Sequence, residues 1–167
     1  MNNILMYFPN RIKNLLKIEI ADKIDLLEEI RIRSQKPIIL KFNDKEKCIN
    51  YLVTTEEIIS ILQFVCENSI YSYQHQIAEG YITIDGGHRV GISGSCVIEN
   101  GNVININYIN SLNFRLARQI KGVSESVLKF ILNISENMVY NTLIVSKPGM
   151  RKNYIIKRYC KTNLNRN

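Results

Sequence analysis

The chain has 167 residues, 46% of them hydrophobic and 22% charged, which suits one soluble domain with a real core. No apolar run approaches the length of a membrane-spanning helix, and the N-terminus MNNILMYFPN lacks the basic and apolar regions of a signal peptide, so a cytoplasmic protein is expected. The net charge of +7 is concentrated in residues 150–167, where Arg151, Lys152, Lys157, Arg158, Lys161 and Arg166 meet no acid, so it does not describe a basic face built for nucleic acid.

Ile12, Leu15, Leu16 and Ile20 recur at helical spacing, which predicts a short amphipathic helix beginning near residue 10. Leu27 to Arg33 alternates as a half-buried strand does, Gln35-Lys36-Pro37 turns, and Ile38 to Phe42 and Cys48 to Val53 read as the next two strands. Thr54-Thr55-Glu56-Glu57 supplies a hydroxyl cap and acids for the first turn of a helix whose apolar stripe is Ile58, Ile59, Leu62, Val65 and Cys66. A second short helix is predicted from Tyr71 to Ala78 and stopped by Gly80.

The middle of the chain is rich in strands. Tyr81 to Ile84 alternates, Asp85-Gly86-Gly87 turns, and His88 to Ile98 forms a long strand interrupted by Gly91 and Gly94. Asn100-Gly101 is a hairpin signal because both residues tolerate positive φ, and Val103 to Ile109 and Leu112 to Ala117 are predicted to return. Ser124 to Asn133 reads as a helix, and the β-branched run Asn141 to Val145 as a buried strand. The result is an α+β fold: a mixed sheet with flanking helices in residues 1–138, a first strand and loop of a further domain in 139–149, and a basic tail in 150–167.

Cys48, Cys66, Cys96 and Cys160 form no CxxC pair, and His75 and His88 are not at metal-ligand spacing, so reduced structural thiols are expected and a metal site is not. The strand ending at Val145 leads into Ser146-Lys147-Pro148-Gly149-Met150-Arg151-Lys152-Asn153. A strand, a Pro-Gly loop and a lysine are the layout of a phosphate-binding loop, whose glycines let backbone N–H groups face phosphate. Ser146, Pro148, Gly149 and Lys152 would be its residues, but Arg151 stands at the obligate glycine and Asn153 at the magnesium-binding hydroxyl.

Leu27 to Arg33, Ser69 to Tyr73, Glu79 to Ile84, Gly86-Gly87-His88-Arg89-Val90-Gly91, Ser111 to Arg118 and Asn141 to Val145 together resemble the stage III sporulation protein AA family over roughly residues 5–149. That resemblance implies the N-terminal portion of an ATPase akin to the traffic ATPases of secretion systems, with an N-terminal domain before a RecA-like core. It implies ATP and Mg²⁺ as cofactors and a hexameric assembly. It implies work in the mother cell beside membrane proteins of the same operon, where the ATPase energises a channel to the forespore. It also implies that Arg115 and Arg118 reach nucleotide phosphates, a task suited to a permanently charged bidentate side chain. The alternative is a non-catalytic module that engages full-length subunits or channel proteins. His88 and Arg89 follow a Gly-Gly turn and read either as a subunit or nucleotide-sensing contact or, more simply, as exposed polar side chains of a hairpin. Glu28, Glu29, Arg31 and Arg33 read either as a charge network between subunits or, more simply, as an exposed strand face.

The family loop usually continues Cys-Gly-Lys-Thr-Thr-Leu-Leu, and this chain departs from it after Gly149. Codons exist for residues 150–164 that, read one base later, restore that run and a first helix, so a one-base insertion is the expected origin of the tail. Without the loop glycine, the magnesium hydroxyl and the RecA-like core, the chain is expected not to hydrolyse ATP.

Overall fold

The computed structural model describes residues 4–21, 23–43, 45–117, 130–133, 138–143 and 145. Residues Met1–Arg118 form one compact unit and Gln119–Asn167 another.

In the first unit a 3-10 turn, Ile4–Tyr7, precedes helix α1, Asn10–Ile20. Three strands follow, β1 (Leu27–Arg33), β2 (Pro37–Phe42) and β3 (Lys45–Leu52), then helix α2 (Thr55–Val65). A 3-10 turn at Ile70–Tyr73 runs into the short helix α3, Gln74–Ala78, and strands β4 (Tyr81–Ile84), β5 (His88–Glu99) and β6 (Asn102–Arg115) complete the unit. The strands form one six-stranded sheet in the order β3-β2-β1-β6-β5-β4. The α+β class holds. The sheet, anticipated as mixed, pairs antiparallel at every one of these interfaces. Short turns join β1 to β2, β2 to β3, β4 to β5 and β5 to β6, which suits antiparallel pairing, and β6 returns beside β1 to join the two hairpin runs.

Local chemistry explains most boundaries. Thr54 accepts the Glu57 N–H at 3.2 Å while the Glu57 carboxylate accepts the Thr54 N–H at 2.9 Å, a reciprocal cap that starts α2. Gly80, at φ +82, ends the segment after α3 in the left-handed conformation. Asn100 and Gly101 both have positive φ and make the β5–β6 turn.

Alternation sets the two faces of the sheet. Ile30, Ile32, Ile38, Leu40, Ile82, Val90, Ile92, Leu112 and Phe114 are buried and share a core with Ile12, Leu16 and Ile20 of α1, Ile58, Ile61 and Val65 of α2, and Ile77 of α3. Phe8 tilts against Phe114 with ring centroids 4.8 Å apart. The opposite face carries Glu29, Arg31, Lys41, Arg89, Asn113 and Arg115.

The segments expected as two strands, Val103–Ile109 and Leu112–Ala117, are one strand with an offset. Between the pairs Ser93–Ser111 and Ser95–Asn107, β6 has more residues than β5, and Tyr108 sits at φ 48 with its side chain in solvent.

In the second unit, Phe130 and Ile131 are helical, and Leu132–Asn133 (β7) pairs antiparallel with Met138–Val139 (β8). Most of the helix expected from Ser124 lies outside the described residues. Asn141, Thr142, Leu143 and Val145 are not in a strand, and Leu143 and Val145 are exposed. A β-branched run forms a strand where a neighbour supplies hydrogen bonds and a face to pack against, which propensity alone does not. Among the described residues no helix is long and apolar enough to cross a membrane.

Candidate functional site

The candidate site lies where the ends of β4, β5, β6 and β1 meet on the polar face. Strand register places Thr83, Arg89, Arg115, Glu29, Lys41 and Glu46 in one row across all six strands. The next row is Tyr81, Gly91, Asn113, Arg31, Ile39 and Cys48.

These rows are unevenly neutralised. Arg31 is well satisfied: its Nε donates to Glu29 at 2.9 Å and its guanidinium to Glu46 at 2.7 Å. Hydrogen bonding to Glu29 holds Arg31 above its ordinary pKa. Lys41 reaches Glu28 at 3.6 Å. Arg115 reaches the other oxygen of the same Glu29 at 4.0 Å, its one ion pair among the described residues, and its side chain is 70% exposed. Arg89 makes no ion pair among the described residues and instead lies over the Tyr81 ring, 5.0 Å from its centroid. Two arginines thus stand opposite each other on β5 and β6, and the carboxylate flanking Arg115 on the β1 side is already engaged by Arg31. Beside them the Asn113 side-chain oxygen is buried with no hydrogen-bond partner among the described residues.

His88 begins β5 and is buried, 9% exposed, with its ring turned inward. Its Nδ1 accepts the Ala117 N–H at 2.9 Å, and burial pushes its pKa below the ordinary imidazole range. The expectation of exposed polar side chains at this turn therefore holds for Arg89 and not for His88. Positive φ at Gly86 and Gly87 directs the chain so that the ring enters the fold.

Of the residues singled out from the sequence, Arg89 and Arg115 come together and His88 lies one residue before the first. Arg118, Ser146, Pro148, Gly149 and Lys152 lie outside the described residues. Glu28, Glu29, Arg31 and Arg33 are offered by the sequence as a network between subunits or, more simply, an exposed strand face. Within the chain, Arg31 pairs with both Glu29 and Glu46. The parts that sequence reading missed are Glu29 as the shared carboxylate, Tyr81 as the platform for Arg89, and Asn113. The alternation through Gly86-Gly87-His88-Arg89-Val90 carried a usable signal, since it places Arg89 on the solvent side and His88 with Val90 on the core side.

Comparison with known proteins gives this geometry a context. The family described as "Sporulation stage III, protein AA" matches residues 1–167. Stage III sporulation protein AA of Bacillus subtilis (strain 168) is 35% identical over 158 residues, which cover 94% of this chain and 50% of that protein. The chain thus spans half the length of this curated relative. Among solved structures, the ATPase DotB of Legionella pneumophila aligns with a TM-score of 0.50 at 12% identity, covering 89% of this chain and 41% of that one. The VirB11 ATPase of the Brucella suis type IV secretion system, solved with sulphate, aligns with a TM-score of 0.42 at 13% identity over 93% of this chain and 44% of that one. DotB supports the fold; the family rests on the sequence matches. The chain belongs to the stage III sporulation protein AA family.

Proposed function

We propose that this chain is the N-terminal portion of a sporulation ATPase and that its polar sheet face presents Arg89 and Arg115 to the phosphates of a nucleotide. The observation that carries this reading is the direct opposition of those arginines, with Glu29, on the far side of Arg115, the one carboxylate paired with either among the described residues. Opposed like charges on adjacent strands are unfavourable unless an anion joins them, and guanidinium groups suit phosphate oxygens geometrically. Asn113 in the next row, whose side-chain oxygen has no hydrogen-bond partner among the described residues, adds a polar group to the same face.

In this reading a complete subunit binds ATP and Mg²⁺, assembles as a hexamer in the mother cell and energises a channel to the forespore beside membrane proteins of the same operon. This chain binds phosphate without hydrolysing ATP. Its loop residues Ser146, Pro148, Gly149 and Lys152 are interrupted by Arg151 and followed by Asn153, so the backbone cradle and the magnesium hydroxyl are both lost.

The test uses the whole chain. Phosphate release from ATP should equal the protein-free blank; turnover above it removes the claim of inactivity. Inorganic pyrophosphate should bind weakly in calorimetry, and Arg115→Gln should reduce that affinity at least tenfold. Unchanged affinity in Arg115→Gln removes the phosphate reading.

A further inference from the structure

The β5–β6 ladder ends at the pair Arg89–Arg115, just as β5 begins. Beyond it the backbone of β6 still has polar groups to satisfy. The Leu116 N–H turns toward β1 and donates to the Glu28 carbonyl at 2.9 Å. The next amide, Ala117, points the other way, because successive amides of an extended strand face opposite neighbours. On that side a longer β5 would offer a carbonyl, but the chain has turned away through Gly86 and Gly87, at φ 79 and 74. The acceptor found there is the His88 side chain, with Nδ1 at 2.9 Å from the Ala117 nitrogen.

We propose that His88 is a positioning residue: its neutral imidazole stands in for the missing strand carbonyl and fixes the end of β6, including Arg115, against β5. A backbone N–H can only donate, so Nδ1 must carry the lone pair and the proton must sit on Nε2. Gly86 leaves room for that end of the ring, since a Cβ there would come within 2.9 Å of Nε2. The residue is buried, which limits the access of water competing for the Ala117 amide. Holding Leu116 from one side and Ala117 from the other clamps the strand end immediately after Arg115. The consequence for phosphate rests on the function proposed above; the clamp does not.

A ring that merely fills space differs from one that accepts a hydrogen bond, and two variants separate them. His88→Phe keeps an aromatic of similar size without an acceptor. His88→Asn is smaller but retains an oxygen near the position of Nδ1. In amide hydrogen exchange on the whole chain, His88→Phe should lower Ala117 protection at least tenfold and leave Leu116 protected, while His88→Asn restores protection at Ala117. Unchanged Ala117 protection in His88→Phe overturns the proposal. Long-range proton–nitrogen correlation on the unsubstituted protein should show the Nε2–H tautomer; an Nδ1–H tautomer overturns it even if both variants fail to fold.

Inorganic pyrophosphate affinity in the same set tests the reach to Arg115. It should fall in His88→Phe and recover in His88→Asn. If Arg115→Gln lowers affinity and His88→Phe does not, the positioning of Arg115 is refuted. If Arg115→Gln has no effect, the phosphate reading falls and the exchange result alone decides the clamp.

Discussion

Arg89 and Arg115 occupy directly opposed positions on β5 and β6, and the two guanidinium groups are treated differently by their surroundings. Arg89 rests on Tyr81, while Arg115 leans toward a carboxylate that Arg31 already holds. Replacing Arg89 by Gln removes an exposed cation–π contact of about 0.5–1 kcal/mol and a cross-strand repulsion of roughly 0.2–1 kcal/mol. These offset, so Arg89→Gln should change the denaturant midpoint in phosphate-free buffer by no more than about 0.5 kcal/mol equivalent. The same variant should lose most of the rise in melting temperature that pyrophosphate gives the parent, because stabilisation by a ligand follows its affinity for the folded state. A large loss of stability without pyrophosphate would identify Arg89 as structural instead.

The cap of α2 can be tested independently of any ligand. Glu57 accepts the Thr54 N–H with one oxygen and the Tyr51 hydroxyl with the other, at 2.9 and 2.6 Å, while Thr54 returns a bond to the Glu57 N–H. Thr54→Ala should cost about 1 kcal/mol, read as a lower urea midpoint with unchanged slope. Thr54→Ser, which keeps the hydroxyl, should recover most of it.

The legible parts of this fold are those encoded within a few residues. Leu27–Arg33 alternates and is a strand; Thr54 to Glu57 spells a cap and makes one; Asn100-Gly101 spells a turn and makes one. The site is less legible because it depends on which strands become neighbours. Arg31 and Glu46 meet across 15 positions only because β3 lies two strands from β1. Arg115 was singled out through the family resemblance, yet nothing local tells that Arg89 stands opposite it. Asn141, Thr142, Leu143 and Val145 show the reverse failure: a strong strand composition is not in a strand where pairing is not provided.

Two glycines should respond differently to alanine. At Gly94 a Cβ would lie 2.5 Å from the Asn107 carbonyl oxygen and 3.0 Å from the Ile109 Cα, so backbone must move at the β6 offset. Gly94→Ala should destabilise by about 1–3 kcal/mol, as overpacking does. At Gly80 the space is open and only the positive φ resists, so Gly80→Ala should cost about 1–2 kcal/mol through backbone conformation alone. A structure of each variant separates the two causes: Gly94→Ala should widen the β5–β6 spacing near Asn107, and Gly80→Ala should leave packing intact.

The cysteines offer a probe of local opening. Cys48 and Cys96 are exposed on the sheet and hairpin, whereas Cys66 is buried at the end of α2 and burial pushes its thiol up to about 11. The thiolate is the reactive form, so at pH 8 a thiol-specific reagent should modify Cys48 and Cys96 within minutes and Cys66 only as fast as the fold opens. Mass mapping of the modified sites checks this. Rapid modification of Cys66 in native buffer would mean that α2 detaches from the sheet without global unfolding.

His88 makes the pH dependence of stability directional. Burial holds its pKa below the ordinary 6.5, so between the folded value and 6.5 the unfolded chain binds a proton that the folded chain does not. Stability must therefore rise with pH across that window. The contribution is fully present above 6.5 and is lost as the pH falls through the folded value. Protonation also converts Nδ1 from acceptor to donor and breaks the bond to Ala117. Denaturant midpoints measured from pH 7.5 downward should fall in the parent protein more steeply than in His88→Asn, which has no proton to gain at this position. Parallel pH profiles for the two proteins would show that His88 titrates alike in the folded and unfolded states, contrary to its burial. Exchange at Ala117 should accelerate over the same pH interval, after correction for the intrinsic rate, while Leu116, held by the Glu28 carbonyl, should not follow it.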